Sequence, residues 1–114
     1  MPATPFDQYL YAIRQHRVFM DALDPKSANE EYRKMMLALK DIRKTPDRGL
    51  DFLTRLAKEE GDDVACVAAA HLLPLDEKLA IRTLKKIAKK GTGENSFEAE
   101  MVLKEWKAGR MKVE

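Results

Sequence analysis

A short helical phrase that occurs twice limits most strongly how this chain can fold. The phrase is Leu, two polar residues, Leu or Ile, Ala and Lys. It begins first at Leu53 and again at Leu84, an offset of 31 residues. Apolar residues three and four positions apart lie on one face of an α-helix, so both copies predict amphipathic helices. A phrase repeated within 114 residues predicts a fold assembled from copies of one helical unit.

The match between the two copies continues into the helix that follows each of them. Beyond the turn the offset becomes 33 residues, because the second turn is two residues longer. The paired positions are then Val64 and Phe97, Cys66 and Ala99, Ala69 and Val102, and Leu73 and Trp106. Each copy is therefore predicted to be an antiparallel helix pair. Such a pair cannot bury its apolar face alone, so pairs are expected to stack into a solenoid.

Helix start and stop signals divide the whole chain into six predicted helices, at approximately residues 5–23, 28–44, 46–60, 63–73, 76–90 and 96–108. The expected N-terminal caps are Thr4, Ser27, Thr45, Asp62 or Asp63, Asp76 and Ser96. Gly61 is expected to end the third helix in a left-handed conformation. The residues expected to face inward on the sixth helix are Phe97, Met101, Val102, Leu103 and Trp106.

These elements predict an all-α fold in a single domain over residues 1–114, a HEAT-like α-solenoid of about three antiparallel helix pairs. The fourth helix is apolar all round, which predicts a central position. A simpler interpretation stays open, since any two amphipathic helices share a Leu-x-x-Leu pattern. The fold is then still an all-α helical bundle.

The motif content of the chain argues against an enzyme. No Gly-rich phosphate loop or nucleophile elbow occurs, and neither histidine has a carboxylate at metal-ligand spacing. We therefore expect no catalytic residues, no cofactor and no metal. Cys66 lies in an apolar run and is expected to be a buried, unreactive thiol. No apolar run approaches the length of a membrane span and no export signal is evident, so we expect a cytoplasmic protein without membrane contact.

The turns of the predicted pairs are acidic. Glu59, Glu60, Asp62 and Asp63 surround Gly61 within five residues. Turns inside stacked pairs lie on the same edge, so Asp24 and Glu94 from the other turns are expected to continue the row. Such a row of carboxylates suits a basic partner, because complementary charge speeds association. A solvated rim, with one or two of these acids acting as helix caps, is the alternative.

The fifth predicted helix carries an opposite feature. Its basic residues Arg82, Lys85, Lys86 and Lys89 recur at helical spacing on the face opposite Leu84 and Ile87. Such a face can contact phosphates of a nucleic acid. The alternative is a solvated outer face, where the helix dipole favours lysines near the C-terminal end.

The segment DEKLAIRTLKKIAKKGTGENSFEAEMVLKEW, from Asp76 to Trp106, resembles HEAT repeats and a small bacterial family of HEAT-like domains. The resemblance covers the C-terminal half of the chain well and the N-terminal half poorly. HEAT-like proteins are scaffolds for protein contacts. The HEAT-like alkylpurine DNA glycosylases act on DNA, but their catalytic positions have no match here.

Small HEAT-like proteins of this kind are similar to immunity proteins of polymorphic toxin systems, including contact-dependent growth inhibition. The resemblance implies a cytoplasmic monomer that binds one cognate toxin domain in a 1:1 complex and blocks it. The chain departs from immunity proteins that plug nuclease clefts, which are often strongly acidic, because its formal net charge is +2. Nucleic-acid binding through the basic helix, and a structural scaffold or homodimer, are the alternatives.

Overall fold

The computed structural model describes residues 4–90 and 93–110, except for the side chain of Glu59. Its six helices are α1 Pro5–Asp21, α2 Pro25–Ile42, α3 Leu50–Glu59, α4 Asp62–Leu72, α5 Glu77–Ala88 and α6 Gly93–Lys107. The described residues contain no strand, and the predicted all-α fold is confirmed.

The chain divides into two compact units, Met1–Gly49 and Leu50–Glu114. The first contains α1 and α2, which pack against each other, and the second contains α3 to α6. Continuous stacking of three pairs in a solenoid stays a prediction.

In the first unit, two Pro residues mark where the helices begin. Thr4 caps α1 as predicted, and its hydroxyl accepts a hydrogen bond from the Asp7 N–H at 3.1 Å. The predicted Ser27 cap of α2 is wrong, since the Asp24 carboxylate accepts from the Ser27 N–H at 3.2 Å and Pro25 opens the helix. An Asp-Pro pair combines a strong cap with a residue suited to the first helical position, and it takes precedence here.

The segment between α2 and α3 is a structured turn, where the sequence predicted a helix from residue 46. The Thr45 hydroxyl donates to the Ile42 carbonyl at 2.7 Å, and the Asp47 carboxylate accepts from the Gly49 N–H at 3.0 Å. Gly49 has a φ of +87°, and a Cβ there would collide with the Ile42 side chain. The predicted Thr45 cap is therefore wrong, because its hydroxyl turns back to the preceding helix.

In the second unit, α4 packs against α3, α5 and α6. Its residues are accordingly buried along most of the helix, at Val64, Ala65, Cys66, Ala68, Ala69, Ala70, His71 and Leu72. The predicted central position of this helix is confirmed within its unit. Because α4 packs on three helices, its small side chains allow these helices to approach it closely on several sides.

Two local predictions at the start of α4 are wrong. Gly61 has φ −66° and ψ 168°, which is extended and not left-handed, and it occupies the cap position of α4. No side chain caps α4, since Asp62 and Asp63 lie in its first helical turn. Their carboxylates are thereby placed to reach beyond their own helix.

The outer helix α6 begins at Gly93, three residues before the predicted Ser96 cap. Ser96 is buried inside the helix, and its hydroxyl donates to the Ala88 carbonyl at 2.9 Å. Phe97 and Met101 are 65% and 41% exposed, so the prediction that they face inward is wrong. Their face is turned away from the buried Ala99, because successive helical residues are rotated by about 100°.

Candidate functional site

Two long-range contacts join the turns of the second unit. The Asp62 carboxylate forms an ion pair with the Lys90 ammonium group. The neighbouring Asp63 carboxylate accepts a hydrogen bond from the Asn95 side-chain amide at 2.7 Å. These contacts hold the beginning of α4 beside the end of α5 and the beginning of α6. Both turns therefore lie on one edge of the unit, and we call Glu60, Asp62, Asp63 and Glu94 the acidic edge.

The six acids predicted to bind a partner have different surroundings. Asp24 lies in the first unit and caps α2, and its hydrogen bonds to Ser27 hold the pKa of its carboxyl below the usual range. Glu60 is half-buried and Glu94 is exposed. Asp62 and Asp63 are half-buried and carry the two contacts described above. The side chain of Glu59 lies outside the described part of the structure.

The exposed apolar face of α6 begins next to the acidic edge. Glu94, Phe97 and Met101 recur at intervals of three and four residues, so they share one face of α6. Sequence reasoning missed this face because it placed Phe97 and Met101 in the core. The sequence carried no local signal for this face, because the exposure of Phe97 depends on α6 being an outer helix that packs on α5 and α4. The buried residues of α6 are Ser96 and Ala99.

The hairpin of α5 and α6 is tied together at both ends. The indole N–H of Trp106 donates to the Glu77 carboxylate at 2.8 Å, which joins the end of α6 to the beginning of α5. At the opposite end, the Ser96 hydroxyl bonds the Ala88 carbonyl. These contacts show that the two helices run antiparallel. They also fix the position of α6, and with it the exposed face of this helix, relative to α5.

A row of cations covers the outer face of α5. The side chains of Lys78, Arg82, Lys85, Lys86 and Lys89, here called the cationic stripe, are all exposed. Among the described residues, none of these five makes an ion pair or a side-chain hydrogen bond. The next cation along the chain, Lys90, is instead paired with Asp62. The sequence predicted the set from Arg82 to Lys89, and Lys78 lengthens it by one helical turn toward the beginning of α5.

Helix electrostatics explain only part of the cationic stripe. The C-terminal end of a helix dipole favours cations, which suits Lys85, Lys86 and Lys89. Lys78 lies in the first turn of α5, where the dipole disfavours a positive charge. Cations three and four residues apart also repel one another along a helix. The helix dipole therefore accounts for the lysines at the C-terminal end of α5, but not for Lys78 or for the repulsion along the row.

The Cys66 thiol and the Tyr9 phenol are buried in the interior and shielded from solvent. Cys66 is 2% exposed, as predicted, and its thiol donates weakly to the Asn95 carbonyl at 4.0 Å. Burial raises the pKa of Tyr9, while the nearby Arg43 acts in the opposite direction.

Within the described residues, no group of three or more His, Cys, Asp or Glu side chains could hold a metal ion. None of the described helices is both long and apolar enough to cross a membrane.

Comparison of the chain with known protein families, curated proteins and solved structures finds no match. The resemblance to HEAT-like domains and immunity proteins thus stays a prediction. The features of the described residues that suit a binding role are the acidic edge, the exposed face of α6 and the cationic stripe.

Proposed function

We propose that this protein is a binding module that docks onto a basic surface of another protein and that the partner is a toxin domain which it neutralises. The observation that carries the proposal is the 65% exposure of Phe97, one helical turn after Glu94 and beside the acidic edge. The interface would comprise the acidic edge together with Phe97 and Met101.

An exposed aromatic ring beside carboxylates combines the two properties that a protein interface needs. Aromatic side chains that enter a pocket of the partner supply much of the binding energy. Surrounding charges of one sign speed the encounter with a basic partner and reject acidic ones. Phe97 would be the anchor, and Glu60 and Glu94 would orient the approach of the partner.

The support for this surface is preformed. Asp62 and Asp63 are bonded to Lys90 and Asn95, and α6 is fixed to α5 by Trp106. A rigid surface loses little conformational freedom on binding, which favours affinity. Because the formal net charge of the chain is +2, attraction to a basic toxin would depend on the local acidic edge and not on the overall charge.

Affinity capture with charge-reversed variants tests this proposal. Tagged wild-type protein is expected to retain one stoichiometric partner from its native cells after nuclease treatment. The E60K/E94K variant is expected to lose that partner, because the reversed charges repel a basic surface. The matched control is D21K/D41K, which reverses two exposed acids in the first unit and should retain the partner.

A growth assay then tests neutralisation. The captured partner, expressed alone, should arrest growth, and co-expression of the wild type or D21K/D41K should restore it. Co-expression of E60K/E94K should not. The proposal would be contradicted if E60K/E94K retained the partner or if the partner expressed alone did not arrest growth. It would also be contradicted if the purified wild type eluted from gel filtration as a homodimer and E60K/E94K eluted as a monomer.

A further inference from the structure

We infer that the cationic stripe of α5 is a second docking surface, which binds the phosphodiester backbone of a nucleic acid. This goes beyond the proposed function, since it concerns a different helix and a partner of opposite charge. It does not depend on the acidic edge. The inference rests on two observations. All five side chains of the stripe are positively charged and exposed, and among the described residues none of them has an acidic partner.

The geometry of the stripe suits a linear polyanion. Lys89 lies eleven positions after Lys78, and a rise of about 1.5 Å per residue places them roughly 16 Å apart along the axis. The five cations occupy the side of α5 opposite its buried residues Ala80, Leu84 and Ile87. A one-sided row of cations of this length can contact several successive phosphates of one strand. Arg82, near the middle, can donate two parallel hydrogen bonds to a phosphate.

A membrane surface fits the stripe less well than a nucleic acid. Helices that lie on membranes insert an apolar face beside their basic residues. The apolar side of α5 is already occupied inside the protein, where Leu84 and Ile87 are 0% and 3% exposed. The face that carries the cations therefore has no apolar surface to insert. Vesicles of anionic lipid and an acidic polypeptide are the competing ligands against which binding of nucleic acid is measured.

Salt-dependent binding of a labelled DNA duplex and a labelled single strand, followed by fluorescence anisotropy, tests the inference. The logarithm of the binding constant should fall linearly with the logarithm of salt concentration. Five phosphate contacts predict a slope of about −4.5 for the duplex and about −3.5 for the single strand. Between about 50 and 200 mM salt the duplex affinity should fall on the order of several hundredfold.

Two variants with the same change in net charge separate a local site from general attraction. K78Q/R82Q/K85Q/K86Q/K89Q removes the stripe, and it should lose on the order of 100-fold in affinity at low salt and most of the salt slope. K26Q/K40Q/K58Q/K104Q/K107Q removes five other exposed lysines and should keep the wild-type slope. Thermal unfolding of both variants checks that they fold, and the stripe variant should be at least as stable as the wild type because repulsion along α5 is relieved.

A single substitution refines the result. K86Q should reduce the slope by about 0.9, which corresponds to the loss of one phosphate contact. The inference is overturned if neither nucleic acid binds at low salt or if the control variant loses as much affinity as the stripe variant. It is also overturned if vesicles containing anionic lipid, or poly-glutamate, bind the stripe more tightly than the nucleic acids do.

Discussion

The two helix pairs of the second unit share one sequence template but have different surroundings. At corresponding positions, Leu53 and Leu84 are both fully buried, and Cys66 and Ala99 are 2% and 0% exposed. These positions form the ladder by which each pair packs internally and against its neighbour. The agreement shows that the template describes how the helices pack.

The two pairs differ at the positions that face away from this ladder. Val64 on α4 is 4% exposed, whereas its counterpart Phe97 on α6 is 65% exposed. The physical reason is that α4 is enclosed by three helices of its unit, and α6 is the outer helix that packs on α5 and α4. A repeat therefore predicts the inward ladder, while the position of a helix in the unit decides whether its other faces are interior or available to a partner.

Truncation of the shared ladder should have the largest effect. L53A and L84A each remove a fully buried side chain, and each should lower the free energy of unfolding by about 2–5 kcal/mol. L50A is the control, because this side chain is 37% exposed and should lose clearly less. Denaturant unfolding measures all three. A large effect for L53A together with a negligible one for L84A would show that the two pairs are not equivalent.

Enlarging the small residues at the paired positions should have a smaller effect. C66L and A99L introduce bulk at buried sites, and each should destabilise the protein by about 1–3 kcal/mol. A108L, at the exposed position directly after α6, should change stability by less than about 0.5 kcal/mol. If A99L were tolerated like A108L, α6 would not be closely packed at this position.

The beginnings of the helices offer a third comparison. The Asp76 carboxylate accepts from the Leu79 N–H at 3.2 Å and caps α5. D76A should lower the free energy of unfolding by about 1 kcal/mol, because an N–H at the start of the helix loses its acceptor. D76N, which keeps an acceptor oxygen, should lose much less in the same denaturant assay. Equal losses for both substitutions would argue against a capping role.

The uncapped start of α4 should respond in the opposite direction. Gly61 has extended backbone angles, and a Cβ there meets no atom within 4 Å. G61S should therefore stabilise the protein by about 0.5 kcal/mol, through a new cap and a less flexible unfolded chain. G93S is the matched control, since Gly93 has a φ of +83° and a side chain is strained there. Destabilisation by G61S would contradict the account of this turn.

Much of the local architecture could be predicted from the sequence, because it depends on short-range patterns. The helical periodicity indicated every helix, and the Thr4 and Asp76 caps follow from residues three positions apart. Competition between neighbouring signals caused the errors at Ser27 and Thr45. Asp24-Pro25 takes precedence over Ser27, and the Thr45 hydroxyl bonds back to Ile42.

The candidate surfaces were harder to predict because they depend on contacts between distant residues. The sequence predicted Asp62 or Asp63 as a helix cap. In the structure Asp62 pairs with Lys90 and Asp63 with Asn95, and each partner lies about 30 residues away along the chain. The exposure of Phe97 depends on which helix is outermost, which no local pattern records. The cations of α5 were visible as a row, but the lack of acidic partners for them among the described residues required the fold.

The most direct test compares V64A with F97A, two truncations at corresponding template positions. Stability is measured by denaturant unfolding, and partner retention by affinity capture. We predict that V64A lowers the free energy of unfolding by about 1–2 kcal/mol and still retains the partner. F97A should change stability by less than about 0.5 kcal/mol and lose the partner. A large loss of stability in F97A, or full retention of the partner, would contradict the account.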